Sequence, residues 1–149
     1  MRAYFSRRYR LSASHRLYSD AFSDERNVEV YGKCSNPHGH GHNYTVEVTV
    51  AGQVDPVTGM VCNMVELDEC VQREIIDLFG HTNLNLYPGF HGLVPTTEAF
   101  CVMVYEMLSK VFDKAELVRV RIEETNNNSF EYPAGKPMAV RRVTDFRAV

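Results

Sequence analysis

The sequence contains no apolar run approaching the roughly 20 residues needed to cross a bilayer, so a membrane-spanning helix is not expected. Met1-Arg2-Ala3-Tyr4-Phe5 lacks the continuous apolar stretch of a secretory signal, and a cytoplasmic protein is expected. Cysteine is scarce. Cys34, Cys62, Cys70 and Cys101 are scattered through 149 residues, a length that folds without staples, which favours reduced thiols over a disulfide framework. There is no internal repeat, low-complexity tract or long Gly/Ser/Pro linker, so residues 1–149 read as a single domain. An excess of positive charge is also missing, and the net charge of -3 argues against general nucleic-acid binding. With 44% hydrophobic and 23% charged residues, the chain is neither a disordered tract nor a coiled-coil rod.

The charge that is present is unevenly placed. Within the first 33 residues Arg2, Arg7, Arg8, Arg10, Arg16, Arg26 and Lys33 face only four carboxylates, a local balance suited to a small polyanion such as a phosphorylated metabolite. From Phe5 to His15 the odd positions, including Tyr9, Leu11 and Ala13, alternate with polar neighbours, which predicts a strand whose inner face ends at His15. Tyr18 to Lys33 reads as a loop with one helical turn around Asp24 to Val28. A second strand is expected from about His40, where Tyr44, Val46, Val48 and Val50 alternate with polar residues. Asp55-Pro56-Val57-Thr58-Gly59 then predicts a hairpin returning through Met60 to Asn63. Asn63 and Glu66 form a capping-box pattern for a helix from Met64 to Phe79, and a second helix is expected to open at Thr96-Thr97-Glu98. Val118, Val120 and Ile122 predict a half-buried strand, with further strand material at Phe130 to Tyr132 and Met138 to Val143. The order is that of an α+β domain with an antiparallel sheet.

Three features of this pattern carry chemistry. His40 and His42 lie two apart on a strand, so both rings point to one side and can share an ion, with His15 as a third nitrogen donor from the neighbouring strand. Three imidazoles leave a tetrahedral zinc with one open position, the arrangement of a catalytic site. Cys34 occupies a turn-rich loop just before the pair, where a thiolate can serve as base or nucleophile, whereas Cys62, Cys70 and Cys101 read as ordinary small apolar residues. His81 follows the Gly80 helix stop and is a candidate acid or base, while His38 and His91 carry no assigned role. Glu124 falls on the apolar face of its strand by the period of two, where a carboxylate is costly unless it is hydrogen-bonded.

Ser12-Ala13-Ser14-His15-Arg16-Leu17, Gly32-Lys33-Cys34-Ser35-Asn36-Pro37, Gly39-His40-Gly41-His42-Asn43-Tyr44, Asp55-Pro56-Val57-Thr58-Gly59, His81-Thr82-Asn83-Leu84, Pro95-Thr96-Thr97-Glu98 and Glu124-Thr125-Asn126-Asn127, in this order, resemble the 6-pyruvoyltetrahydropterin synthase family. The resemblance runs from about Arg8 to Tyr132 and leaves a tail, about residues 136–149, outside it. It implies a tunnelling fold: an antiparallel four-stranded sheet with two helices, whose subunits join sheets into barrels that stack as a homohexamer, a dimer of trimers. It implies Zn2+ bound by His15, His40 and His42, Cys34 and His81 as catalytic groups, and a pterin pocket made by Glu124, Thr96 and Thr97. The implied reaction is a lyase step that takes 7,8-dihydroneopterin triphosphate to 6-pyruvoyltetrahydropterin in tetrahydrobiopterin biosynthesis. Its partner is this small pterin triphosphate, not nucleic acid or a membrane.

One position departs from the pattern. The family usually places an aspartate before the counterpart of His81, whereas here Gly80 stands there, and Asp77 one turn earlier is the available substitute. The nearest competing reading is 6-carboxytetrahydropterin synthase, which releases acetaldehyde from the same substrate. The five residues between Cys34 and His40 match the spacing of the pyruvoyl branch. A cupin-type iron oxygenase would use Glu47, but on a regular strand that residue faces away from His42. A zinc-stabilised protein that has lost activity is the third alternative, and Gly80 is the feature that supports it.

Overall fold

The computed structural model describes residues 1–135. Four strands form one antiparallel sheet in the order β1-β2-β3-β4: β1 is Arg2–His15, β2 His40–Gln53, β3 Glu116–Thr125 and β4 Asn128–Tyr132. The register of β1 and β2 pairs Arg2 with Gln53 at one end and His15 with His40 at the other. A short helix, α1 (Asp24–Tyr31), lies in the first connection. The second holds helical residues from Met64 to Phe79, as α2 (Met64–Val71), a π turn (Gln72–Ile76) and α3 (Asp77–Phe79), and then α4 (Thr97–Val111).

The core lies between one face of the sheet and these helices. Leu11, Ala13, Val46, Val48, Val50, Val120 and Ile122 are buried on the sheet side, against Leu67, Val71, Ile75, Phe79, Phe100, Val104 and Leu108 from the helices. Val71, Ile75 and Phe79 recur every four residues, a spacing that drifts around a regular helix of 3.6 residues per turn. The wider π turn takes up that drift and keeps all three in the core. On the opposite face of the sheet Arg8, Glu47, Arg119, Arg121, Glu123 and Glu131 form a ladder of ion pairs across all four strands. Arg7 crosses to the helix layer instead, clasping Asp68 with two hydrogen bonds of 2.9 and 2.8 Å beside the Tyr9 hydroxyl at 2.9 Å.

Three expectations are corrected. β1 begins at Arg2, because its pairing with β2 continues past Phe5. The segment Asp24 to Tyr31 makes a full helix capped by Ser23, not a single turn. Met60 to Asn63 is not a strand; Asp55 accepts from Val57 and Thr58 and closes a turn to Met60, after which the chain enters α2. The hydrogen bonds that a return strand would have supplied to β2 are made by β1 and β3. The strand expected at Met138 to Val143 lies outside the described residues.

Candidate metal centre

Strand pairing builds the centre. His15 and His40 face each other at the end of the β1–β2 ladder, and His42 lies two residues along β2 on the same face. Gly39 makes this junction possible: its φ is +68°, and a β-carbon there would stand 2.7 Å from the His15 carbonyl oxygen. One nitrogen from each of the three rings lies within 4.8 Å of the others, and Nε2 of His15 is 3.0 Å from Nε2 of His40.

The donor set suits a divalent cation. His15 Nδ1–H donates to the Pro95 carbonyl at 2.8 Å, which fixes the ring and leaves Nε2 as a lone-pair donor. His42 Nε2 is buried without a hydrogen-bond partner among the described residues, an arrangement that is costly unless an ion or ligand satisfies it. Burial, with the neighbouring imidazoles, pushes His15 and His40 below the ordinary histidine range. Both are therefore neutral at neutral pH, as a metal-binding imidazole must be. Tyr44 packs edge-on against His15 and Phe100 beneath the cluster, and burial pushes its hydroxyl well above the usual tyrosine range, so it stays protonated.

Glu124 reaches the same place from β3. Its Oε1 stands 3.5 Å from His42 Nε2 and 3.7 Å from His15 Nε2. Thr97 Oγ1 donates to Oε1 at 2.6 Å and Asn128 Nδ2 to Oε2 at 2.7 Å. Burial opposes the charged form, but these two donors and the nearby imidazoles outweigh it and hold the carboxyl below its ordinary range. A carboxylate has about four lone-pair positions, so two remain for a ligand.

The remaining candidates are placed differently. Cys34 lies in a short 3₁₀ turn, Gly32–Ser35, half-buried, and its carbonyl accepts from Leu17 N at 2.8 Å. Thr97 is buried on Glu124, whereas Thr96 caps α4 by accepting from Ala99 N at 3.2 Å. His81 is not part of the cluster. It is exposed, with φ of 59°, and its N–H donates to the Ser12 carbonyl at 2.6 Å along the edge of β1. It lines a depression of about 350 Å³ with Ser12, Ser14 and Asn43, side chains on the opposite face of the sheet from the buried His15, and His42 of the cluster lines the same depression. Asp77 does not orient it; that carboxylate accepts from Gln72 Nε2 at 2.7 Å. Glu47 pairs with Arg8 and Arg119 on the far face, so it takes no part in the centre.

Two residues in the site escaped the sequence reading. Asn128 falls in none of the sequence motifs, although its place across the β3–β4 connection from Glu124 is what lets it brace the carboxylate. Pro95 enters the sequence reading only within the motif Pro95-Thr96-Thr97-Glu98, and no side-chain pattern signals a main-chain carbonyl as a partner of His15.

Comparison with known proteins gives a consistent result. A sequence model of the family described as 6-pyruvoyl tetrahydropterin synthase matches residues 4–135. The human protein named 6-pyruvoyl tetrahydrobiopterin synthase is 47% identical over 131 residues, covering 87% of this chain and 90% of its own. A Drosophila melanogaster protein of the same name is 43% identical, covering 91% of this chain and 82% of its own. The solved structure of the Caenorhabditis elegans 6-pyruvoyl tetrahydropterin synthase superimposes with a TM-score of 0.85 at 36% identity, covering 91% of this chain and 97% of that one.

Proposed function

This chain belongs to the 6-pyruvoyl tetrahydropterin synthase family, and from that premise we propose that it converts 7,8-dihydroneopterin triphosphate to 6-pyruvoyltetrahydropterin, releasing triphosphate. The observation that carries this reading is the meeting of three imidazoles with a braced carboxylate on one face of the sheet. His15, His40 and His42 fit Zn2+, which when bound would polarise the substrate's side-chain oxygens and acidify the adjacent C–H bonds.

The chain's own groups supply the rest. Glu124 accepts hydrogen bonds from the amino-amide edge of the pterin, with Thr97 and Asn128 fixing its orientation before substrate arrives. Thr96 spends its oxygen on the α4 cap and keeps its hydroxyl hydrogen for the ring. Cys34, as thiolate, removes a side-chain proton. The hydrogen is redistributed within the substrate, so no external reductant is consumed. His81 returns a proton.

Assembly follows from the sheet. Residues 81–83 cover only the end of β1, so most of its edge, and the outer edge of β4, have no strand partner among the described residues. Joining β1 of one subunit to β4 of the next removes both edges and closes a barrel, consistent with a homohexamer built from two trimers. Among the described residues no helix is long and apolar enough to cross a membrane. A cytoplasmic location fits that finding.

The test is incubation of the zinc-loaded protein with 7,8-dihydroneopterin triphosphate. Triphosphate and 6-pyruvoyltetrahydropterin are expected. Acetaldehyde in the products would transfer the chain to the 6-carboxy reaction, the name carried by a 32% identical Archaeoglobus fulgidus relative. No triphosphate release would overturn the enzymatic reading.

A further inference from the structure

The loop that follows α3 covers the free edge of β1 at the end of the strand. His81 N–H donates to the Ser12 carbonyl at 2.6 Å and Ser14 N–H to the Thr82 carbonyl at 2.9 Å, so alternate residues of β1 bond to this loop. Arg16 is next in the series, and there the loop changes from main chain to side chain. Asn85 Oδ1 accepts from Arg16 N–H at 2.7 Å, and Asn85 Nδ2 donates to the Arg16 carbonyl at 2.9 Å. One carboxamide thus replaces a strand residue, filling both main-chain groups of the residue that follows His15.

Asn85 is itself held in place. Leu84 beside it is fully buried in the core, and Asn85 N–H donates to Asn83 Oδ1 at 3.0 Å within the 3₁₀ turn Leu84–Leu86. The amide is half-buried and anchored at its own backbone, so it meets Arg16 from a fixed base.

The consequence falls on His15. Its pairing with His40 is the last rung between β1 and β2, and Arg16 has no partner on β2. The Pro95 carbonyl fixes the ring through Nδ1, but where Nε2 stands relative to His40 and His42 depends also on the main chain that carries the ring. Functional constellations tolerate displacements of only about 0.5 Å. We infer that Asn85 is a positioning residue of the candidate metal centre, holding the backbone at Arg16 so that His15 Nε2 meets the other two imidazoles. This rests on the reading of the three histidines as metal ligands, and not on which pterin product is released.

The test is the zinc affinity of the full-length protein and its variants, stripped of metal and titrated in competition with a chromophoric chelator. Asn85→Ala removes both bonds, and outer-shell supports of metal ligands are worth about 10- to 100-fold in affinity, so a loss of at least tenfold is expected. Asn85→Asp keeps the acceptor for Arg16 N–H and loses only the donor, and its affinity is expected to fall between those of wild type and Asn85→Ala. Asp68→Ala, whose lost partners are Arg7 and Tyr9, destabilises the fold away from the centre and is expected to keep its affinity within about twofold. A smaller loss than tenfold in Asn85→Ala overturns the proposal, and so does an equal loss in Asp68→Ala, which would make the effect one of general stability. If Asn85→Ala does not fold, Asn85→Asp decides, and an affinity indistinguishable from wild type overturns the positioning role. A wild type that binds no zinc refutes the metal centre and this proposal together; zinc binding that ignores Asn85 refutes the positioning role alone.

Discussion

Replacing Gly80 by aspartate asks whether His81 merely lacks the neighbour usual in its family, or stands in a helix end that cannot hold one. The backbone at Gly80, with φ of -60° and ψ of 127°, suits any residue, so the cost lies in space alone. A β-carbon there would be 2.6 Å from the Ile76 carbonyl oxygen, which already accepts the Gly80 N–H at 2.8 Å. Both atoms are main chain, so relief requires the helix end to move. Overpacking costs about 1–3 kcal/mol, and losing the terminal hydrogen bond adds about 1 kcal/mol. The expected destabilisation of about 2–4 kcal/mol lowers Tm by roughly 6–12 °C for a chain of this size. Gly80→Ala, which adds the β-carbon without charge, is expected to lower Tm similarly, and neither variant to raise turnover. Scanning calorimetry at fixed protein concentration, beside a triphosphate-release assay, reads both. An unchanged Tm with faster turnover in Gly80→Asp would refute the argument, showing that the helix end accepts a side chain and that His81 was short of a carboxylate.

Other expectations follow from the same geometry. Cys34→Ala is expected to lower turnover about 10²-fold or more while zinc content, measured by atomic absorption, stays at the wild-type level, because the thiol is not among the ligands. Asp68→Ala releases Arg7 and leaves the Tyr9 hydroxyl without its acceptor; since the pair is partly solvent-screened, a loss of about 1–2 kcal/mol is expected in denaturant titration. Metal-free protein is expected to hold constant stability above about pH 7 and to lose it on acidification below about 6.5, the ordinary histidine value. The sign is fixed by the lowered values of His15 and His40: the unfolded chain takes up protons first, so acid favours it. A midpoint that rises as pH falls from 7 to 5 would contradict their burial as neutral rings.

The parts of this protein that were legible in its sequence are those governed by strict periods. The two-residue alternation in β1, β2 and β3 gave the antiparallel sheet and placed the three histidines and Glu124 on one face, as observed. The helical period in 64–79 and 97–111 located both long helices. Failures came where partners outside the segment decide the outcome. Met60 to Asn63 has hairpin chemistry beside it, yet β2 already spends both edges on β1 and β3. Asp24 to Tyr31 has weak apolar patterning and is tied down through buried Asn27, whose side chain bonds the main chain at Ser19 and Ser23. Asp77 was a reasonable orienter for His81 by sequence distance, but the helix directs it to Gln72.

The same distinction explains why a carboxylate survives on the core face of β3. An unsupported acid at position 124 would be destabilising, and the usual escape is protonation. Thr97 and Asn128 close that escape by donating one hydrogen bond to each oxygen, and the neighbouring imidazoles reinforce the charged form. The braces use only half of its accepting capacity, which leaves an oriented pair of lone pairs beside the three clustered histidines. A fully satisfied structural carboxylate would need no such remainder. Glu124→Gln separates the two accounts: it preserves shape and Thr97 contact but replaces one acceptor by a donor. If the residue is structural, the variant loses stability and keeps its affinity for a pterin without a side chain; if it anchors the ring, affinity falls at least tenfold while the fold is retained.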